Sequence, residues 1–304
     1  MVGAAWHGFA CRRFVLLGLL ALLSAVLMAP SLRAYDGDIH QQLTFIATKQ
    51  LDRCIEDTDI PLLTPLEIRY MVKGNVGEAD RGWFTGLTQW QFYDHSGSDD
   101  SSWLWLVETR VNARFQGWVG ELEASDGFAQ QYSTLGKLIN NLQNMSSPAY
   151  AVPVYYSRWW RLSTSDRFNN FPVDHEALER ALENSCTELS ITGPPQSPTD
   201  TLRWIAQETI AALNQPIPGM SATWTSFWEP DRDGGFGSYG PAGNSFGRRT
   251  EFDCPDPRCR LRDGDSRYQA FALQRHRQAV IATMKAMYWK QWHKRERLRG
   301  SSEP

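Results

Sequence analysis

No two cysteines of this 304-residue chain stand at C-x-x-C spacing, and no H-E-x-x-H occurs. The first absence argues against a cysteine-ligated zinc and the second against a helical zinc-protease pair. No segment alternates apolar and polar residues with the period of two that a half-buried strand requires. Seven glycines lie between Gly219 and Gly247, but no G-K-[ST] follows and no strand pattern precedes them, so they do not form a phosphate-cradling loop. Basic residues are dispersed rather than gathered in a stripe, which makes nucleic acid an unexpected partner.

What is present begins with an export signal. Arg12 and Arg13 precede an apolar run from Phe14 to Leu27, and Leu32-Arg33-Ala34 reads as a small-residue cleavage site. The run is too short, and too closely followed by Pro30 and Arg33, for a spanning helix, so no transmembrane segment is expected after cleavage. Residues 1–34 are therefore read as a signal peptide and 35–304 as one domain of an exported protein, periplasmic or secreted. Cleavage removes three arginines and no acid, leaving 28 basic against 34 acidic residues. The remaining chain is long enough to bury one large core.

The expected fold class is all-α, a multi-helix bundle with long irregular loops. Amphipathic periodicity places helices over His40–Ile55 and Thr134–Met145, and further ones over Asp174–Asn184, Asp200–Leu213 with Asp200 as N-cap, and Arg267 to about Trp292. The last runs into a basic segment, Lys290–Arg299, and His276 and His293 are assigned to its polar face. His175 reads as a surface residue near a cap. Residues 216–265 form an aromatic, Gly/Pro-rich loop carrying Trp224, Phe227, Trp228, Phe236, Tyr239 and Phe246. Either it caps the bundle or its aromatics form a lip over a pocket or a lipid surface. Cys54, Cys186, Cys254 and Cys259 allow three disulfide pairings in an oxidising compartment, with Cys254–Cys259 and Cys54–Cys186 favoured.

Four segments carry a resemblance. Leu135–Val154, LGKLINNLQNMSSPAYAVPV, has the frame of a metal-binding helix in the zinc-dependent phospholipase C and single-strand nuclease superfamily: Leu135, Gly136, Met145, Pro148 and Ala151 keep the scaffold. Asn140 and Tyr150 stand where that family has His, and Asn144 where it has Asp. GNVGEADRGWFTGLTQWQFYDHSG resembles the family's acidic turn, with Asp80 at a carboxylate position and Gln91 in place of His. SDRFNNFPVD is similar to a further ligand segment, in which Phe168, Phe171 and Asp174 fit while Ser165 replaces His and Asn169 replaces an acid. The fourth segment is the start of the mature chain, where Tyr35 and His40 keep the spacing of a chelating terminus and a following His.

The resemblance implies a helical phospholipase C/nuclease fold and, in the family, a cluster of metals that supplies hydroxide at neutral pH. The substitutions remove most of its ligands, because an amide offers a neutral carbonyl and a phenol must ionise to bind strongly. The expectation is a member degenerate at the metal site, with no cofactor, in which Gln91, Asn140, Asn144, Tyr150, Ser165 and Asn169 line the former cleft. It would act by binding a small molecule, a lipid or a protein. A second reading is an active phosphodiester hydrolase with zinc at a reduced site of Tyr35, His40 and Asp80, where Asp80 orients the attacking water; Asp94 and His95 are further donors near it. A third is a periplasmic accessory protein or chaperone. On periodicity alone Asn140 and Asn144 would face solvent, opposite the Leu135, Leu138, Leu142 and Met145 stripe; the resemblance turns them inward.

Overall fold

The structure is a computed structural model describing residues 35, 37–79, 93, 111–152, 154, 166–189, 191, 193–230, 238–239, 250–251, 260–261 and 265–300. Among the residues singled out above, Asp80, Gln91, Asp94, His95, Ser165, Phe236, Phe246, Cys254, Cys259 and the signal segment lie outside that set. Every described residue belongs to one compact unit of the chain, Arg33–Asp80 with Trp90–Pro304.

The first helix, α1 (Gly37–Ile55), buries Ile39, Leu43, Ile46, Ala47, Leu51 and Ile55 along one stripe, with Asp38 in the first turn and Arg53 in the last to complement the helix dipole. Helix α2 (Pro65–Ala79) opens on a reciprocal cap: Glu67 N–H donates to Thr64 Oγ1 at 3.3 Å and Thr64 N–H donates to Glu67 Oε2 at 2.7 Å, with proline at the first helical position. Helix α3 (Val111–Ala124) packs through Val111, Phe115, Trp118 and Leu122. Helix α4 (Phe128–Met145) is the centre of the bundle, with all its residues from Leu138 to Met145 buried, and it touches α1, α2 and α3.

The short α5 (Pro148–Ala151) leads on to a 3-10 turn, Arg167–Asn170, and to α6 (His175–Ala181), which Asp174 caps by accepting from Ala177 N–H at 3.0 Å. A second 3-10 turn, Ser185–Leu189, and the proline-rich connector precede α7 (Pro198–Leu213). Its N-cap is Ser197, not Asp200: Ser197 Oγ accepts from Asp200 N–H at 3.1 Å, so Asp200 sits inside the first turn. The last helix, α8 (Ser266–Gly300), runs 35 residues, roughly 52 Å at 1.5 Å per residue. It continues beyond Trp292 because its basic end is paired: Lys294 with Glu67, and Arg295 with Asp59 and Glu296.

The architecture is thus mainly helical. The described strands are two-residue ladders, β1 (Trp228–Glu229) with β2 (Ser238–Tyr239) and β3 (Thr250–Glu251) with β4 (Arg260–Leu261), both antiparallel. Cys54 and Cys186 are disulfide-bonded, tying the end of α1 to the 3-10 turn before α7. No helix among the described residues is long and apolar enough to cross a membrane.

The aromatic lip is corrected for its described members. Trp224, Phe227 and Trp228 are buried, and Trp224 and Trp228 stack on Phe271 of α8 at 4.2 and 6.2 Å between centroids. Rings of that size contribute most when removed from water, and the bundle supplies the cover.

Glycine decides the closest helix approach. A Cβ on Gly74 of α2 would lie 2.0 Å from Ser133 O, and one on Gly136 of α4 would lie 2.1 Å from Met71 O and 2.7 Å from Asn75 N. The Leu135-Gly136 pair of the recognised frame therefore has a packing reason, since only glycine lets these two backbones touch.

Candidate functional site

The backbone contact of α2 and α4 brings Asn75 against Asn140. Asn140 Nδ2 donates to Asn75 O at 3.1 Å and to Asn75 Oδ1 at 3.0 Å, and Asn144 Nδ2 donates to Asn140 Oδ1 at 3.0 Å. Asn140 is 2% and Asn144 6% exposed, so the solvated-face alternative is overturned. Residues 138–145 are buried on every side of α4, and the apolar stripe does not mark its only inner face.

Gln143 organises the neighbouring layer. Its Nε2 donates to Thr44 Oγ1 at 3.0 Å and Thr283 Oγ1 at 3.1 Å, and its Oε1 accepts from Asn75 Nδ2 at 3.1 Å. His40 Nδ1 lies 2.6 Å from the same Oε1. The hydroxyl directions fix the amide, because Thr44 donates to His40 O at 2.8 Å and Thr283 donates to Ala279 O at 2.8 Å. Each hydroxyl has one proton, so both must accept from Gln143, leaving Oε1 to accept. His40 therefore carries its proton on Nδ1. Thr44 Oγ1 also accepts from Asn75 Nδ2 at 2.8 Å.

Two serines on the turn that ends α4, Ser146 and Ser147, hold Tyr35 and Asn169. Ser146 Oγ donates to Gln143 O at 2.8 Å and stands 3.0 Å from Tyr35 OH, so the phenol donates to the serine. Ser147 Oγ donates to Asn169 Oδ1 at 2.6 Å. Tyr150 is buried in α5, and its backbone carbonyl accepts from Tyr93 N–H at 3.1 Å. Burial pushes the phenol pKa of Tyr35 upward, as do burial and then the charge of Asp166 for Tyr150. Both remain neutral phenols near pH 7. Asp166 is itself buried and accepts from Trp228 Nε1 at 2.6 Å and from Phe168 N–H at 2.9 Å.

The structure thus brings Tyr35, His40, Asn140, Asn144 and Asn169 to one polar layer around the end of α4, and gives Asn75, Gln143, Thr44, Thr283, Ser146 and Ser147 to the same layer, none of which the motifs had singled out. Asn75 and Gln143 lie outside the motif's ligand spacing, and the one available signal is their place within a turn of Asn140 or in contact with its helix. Asn144 Oδ1 is buried without a partner among the described residues. No group of three His, Cys, Asp or Glu side chains able to hold a metal occurs among the described residues. These donors do not fit a zinc cluster: they are amides, hydroxyls and protonated phenols already bonded to one another, with His40 the sole imidazole.

His276 was assigned to a polar helix face and is instead 1% exposed, since α8 is covered on nearly all sides through this stretch. Its ring lies 5.6 Å from that of Tyr35 and 6.5 Å from that of Phe168. Burial lowers its pKa to about 4, and Nε2 has no hydrogen-bond partner among the described residues. His175 and His293 are at the surface, at 2.9 Å from Gln42 Oε1 and 3.0 Å from Trp289 O respectively.

Comparison of the chain with protein-family models, curated proteins and solved structures finds no match. The phospholipase C/nuclease resemblance rests on the motifs quoted above.

Proposed function

We propose that this is an exported, non-catalytic binding protein on a phospholipase C/nuclease-like scaffold, in which an amide and hydroxyl network occupies the place of the metal cluster. The observation that carries the reading is Gln143, whose four bonding positions are all used by His40, Asn75, Thr44 and Thr283. A side chain so saturated has nothing left to offer a cation, and a neutral layer cannot offset the charge of clustered metals. The burial of Tyr35 and Tyr150 as neutral phenols adds support, since neither can act as an anionic ligand or base near neutral pH.

The test uses protein whose chain starts at Tyr35, with metal content measured before and after mild chelation. Hydrolysis of phosphatidylcholine and of single-stranded DNA is then assayed with added zinc. The expected result is sub-stoichiometric zinc and no turnover above buffer. Stoichiometric, chelator-removable zinc with turnover, lost when the chain is extended before Tyr35, would replace this reading by the reduced-site hydrolase of Tyr35, His40 and Asp80.

A further inference from the structure

Helix α2 carries two distinct faces. Glu67, Met71, Gly74 and Asn75 are buried against the bundle, whereas Leu66, Arg69, Tyr70 and Lys73 recur at the three- and four-residue intervals of another face. Leu66 is 50% exposed, Arg69 and Lys73 are exposed, and Tyr70 is half-buried. Phe128, at the start of α4 and also exposed, extends the apolar part, its ring 6.0 Å from that of Tyr70. The last turns of α8 reach the same place. Lys290 Nζ lies 5.6 Å over the ring of Tyr132, which is 5.0 Å from that of Phe128, and Lys294 Nζ lies 2.7 Å from Glu67. Arg297 shares their face of α8 by helical spacing, and the exposed Leu298 stands one turn beyond Lys294.

Two properties of this surface point to its partner. Leu66, Phe128 and Leu298 are exposed large apolar side chains, and such residues mark an interaction site when they gather. Among them stand Arg69, Lys73 and Arg297, all exposed and without an ion pair among the described residues. Nearby acids are already engaged: Asp59 and Glu296 by Arg295 and Arg299, and the buried Glu67 by Lys294. Asp126, exposed two residues ahead of Phe128, opposes the cations from the edge. Apolar side chains interleaved with long basic ones suit the surface of an anionic bilayer, where the former enter the acyl boundary and the latter extend to the phosphates. A protein interface would instead bury those cations, which is costly unless each meets an acid.

We infer that the surface formed by the outer face of α2, Phe128 and the end of α8 docks on a membrane containing anionic phospholipid, with Leu66, Phe128 and Leu298 inserted and Arg69, Lys73 and Arg297 on the phosphates. The protein lies on the bilayer through this face, since no described helix is long and apolar enough to cross it. The inference goes beyond the binding-protein reading and uses none of the amide layer, so the two fail separately: phosphodiester turnover would remove that reading and leave this surface in place.

The test is co-sedimentation of protein whose chain starts at Tyr35 with vesicles of phosphatidylcholine alone and of an equimolar mixture with phosphatidylglycerol. Binding to the mixed vesicles is expected, weakened by salt, with little binding to the neutral ones. Arg69→Gln/Lys73→Gln is expected to weaken it about thirtyfold, at roughly fivefold for each cation near an anionic surface. Leu66→Gln, which removes one inserted side chain, should cost about tenfold. Arg180→Gln/Arg203→Gln deletes the same charge from exposed ion pairs on α6 and α7 and should leave binding unchanged, separating the face from net charge. Every substituted position is exposed, and thermal melts verify that each variant is folded. Equal binding to both kinds of vesicle, no binding to either, or an equal loss in the α6/α7 variant would each overturn the assignment. So would self-association that Leu66→Gln abolishes in protein that ignores vesicles, which would give the face to a second copy of the chain.

Discussion

His40 of α1 and Gln143 of α4 meet at 2.6 Å between Nδ1 and Oε1, a contact spanning 103 positions of sequence. The bond fixes the tautomer of the imidazole and, through the other arms of Gln143, ties α1, α2, α4 and α8 into one layer. A buried network of this kind stabilises when every member is satisfied, and it becomes costly when one is removed.

Gln143→Leu is therefore expected to destabilise far beyond the loss of one amide. It would strand His40 Nδ1–H, leave Asn75 Nδ2 with Thr44 alone, and deprive Thr44 and Thr283 of a donor. At about 1–3 kcal/mol for each buried polar group left unsatisfied, a loss of roughly 3 kcal/mol or more follows. Urea denaturation measures it. A double-mutant cycle with Asn75→Ala should show strong coupling, and additive losses would mean that the two amides do not act together.

Gly136→Ala tests the helix contact that presents Asn75 to Asn140. The added methyl would sit 2.1 Å from Met71 O, which is backbone and has no rotamer to yield. The variant is expected to lose about 3 kcal/mol, or to be recovered unfolded. Gly77→Ala, on the facing helix α2 with nothing within 4 Å of the new Cβ, should instead gain about 0.5–1 kcal/mol from helix propensity. Thermal melts of the pair separate close approach from propensity.

Reduction of Cys54–Cys186 should lower the melting temperature. The bond closes a loop with a sequence separation of 132, for which chain-entropy arguments give about 5 kcal/mol. Melts with and without a phosphine reductant, compared with Cys54→Ala/Cys186→Ala, measure the effect. A reduced protein that melts with the oxidised one would place the stability elsewhere.

The legible parts of the fold were those where periodicity and burial coincide. Helices α1, α4 and α8 carry strong apolar stripes or long unbroken runs, and their existence followed from pattern. Helix α2 was not read, because the face it buries holds Gly74 and Asn75 beside Met71, and a glycine and an amide leave no apolar stripe. Thr64-Pro65 with Glu67 was its visible mark, a capping box that starts a helix whatever the face. The candidate site was half legible. The motif frame pointed to Asn140, Asn144 and Asn169, but Gln143 and Thr283 enter through tertiary contact alone. His276 was misread because α8 is polar in composition yet buried on nearly all sides, which periodicity cannot report.

His276 also makes stability depend on pH in a definite direction. An unfolded imidazole titrates near pH 6.5, and in the folded protein burial lowers the pKa to about 4. Between those values the unfolded chain holds a proton that the folded one does not, so acid favours unfolding. The contribution is present in full above pH 6.5 and is lost as pH falls through about 4; a shift of this size corresponds to about 3 kcal/mol. Tyr35 and Phe168, the rings packed on it, do not titrate in this window. Stability measured by urea at intervals from pH 7.5 to 4 should therefore fall most steeply below 6.5. His276→Phe, which keeps an aromatic ring without the titrating nitrogens, should flatten that slope. An unchanged slope in the variant would assign the acid sensitivity to other groups.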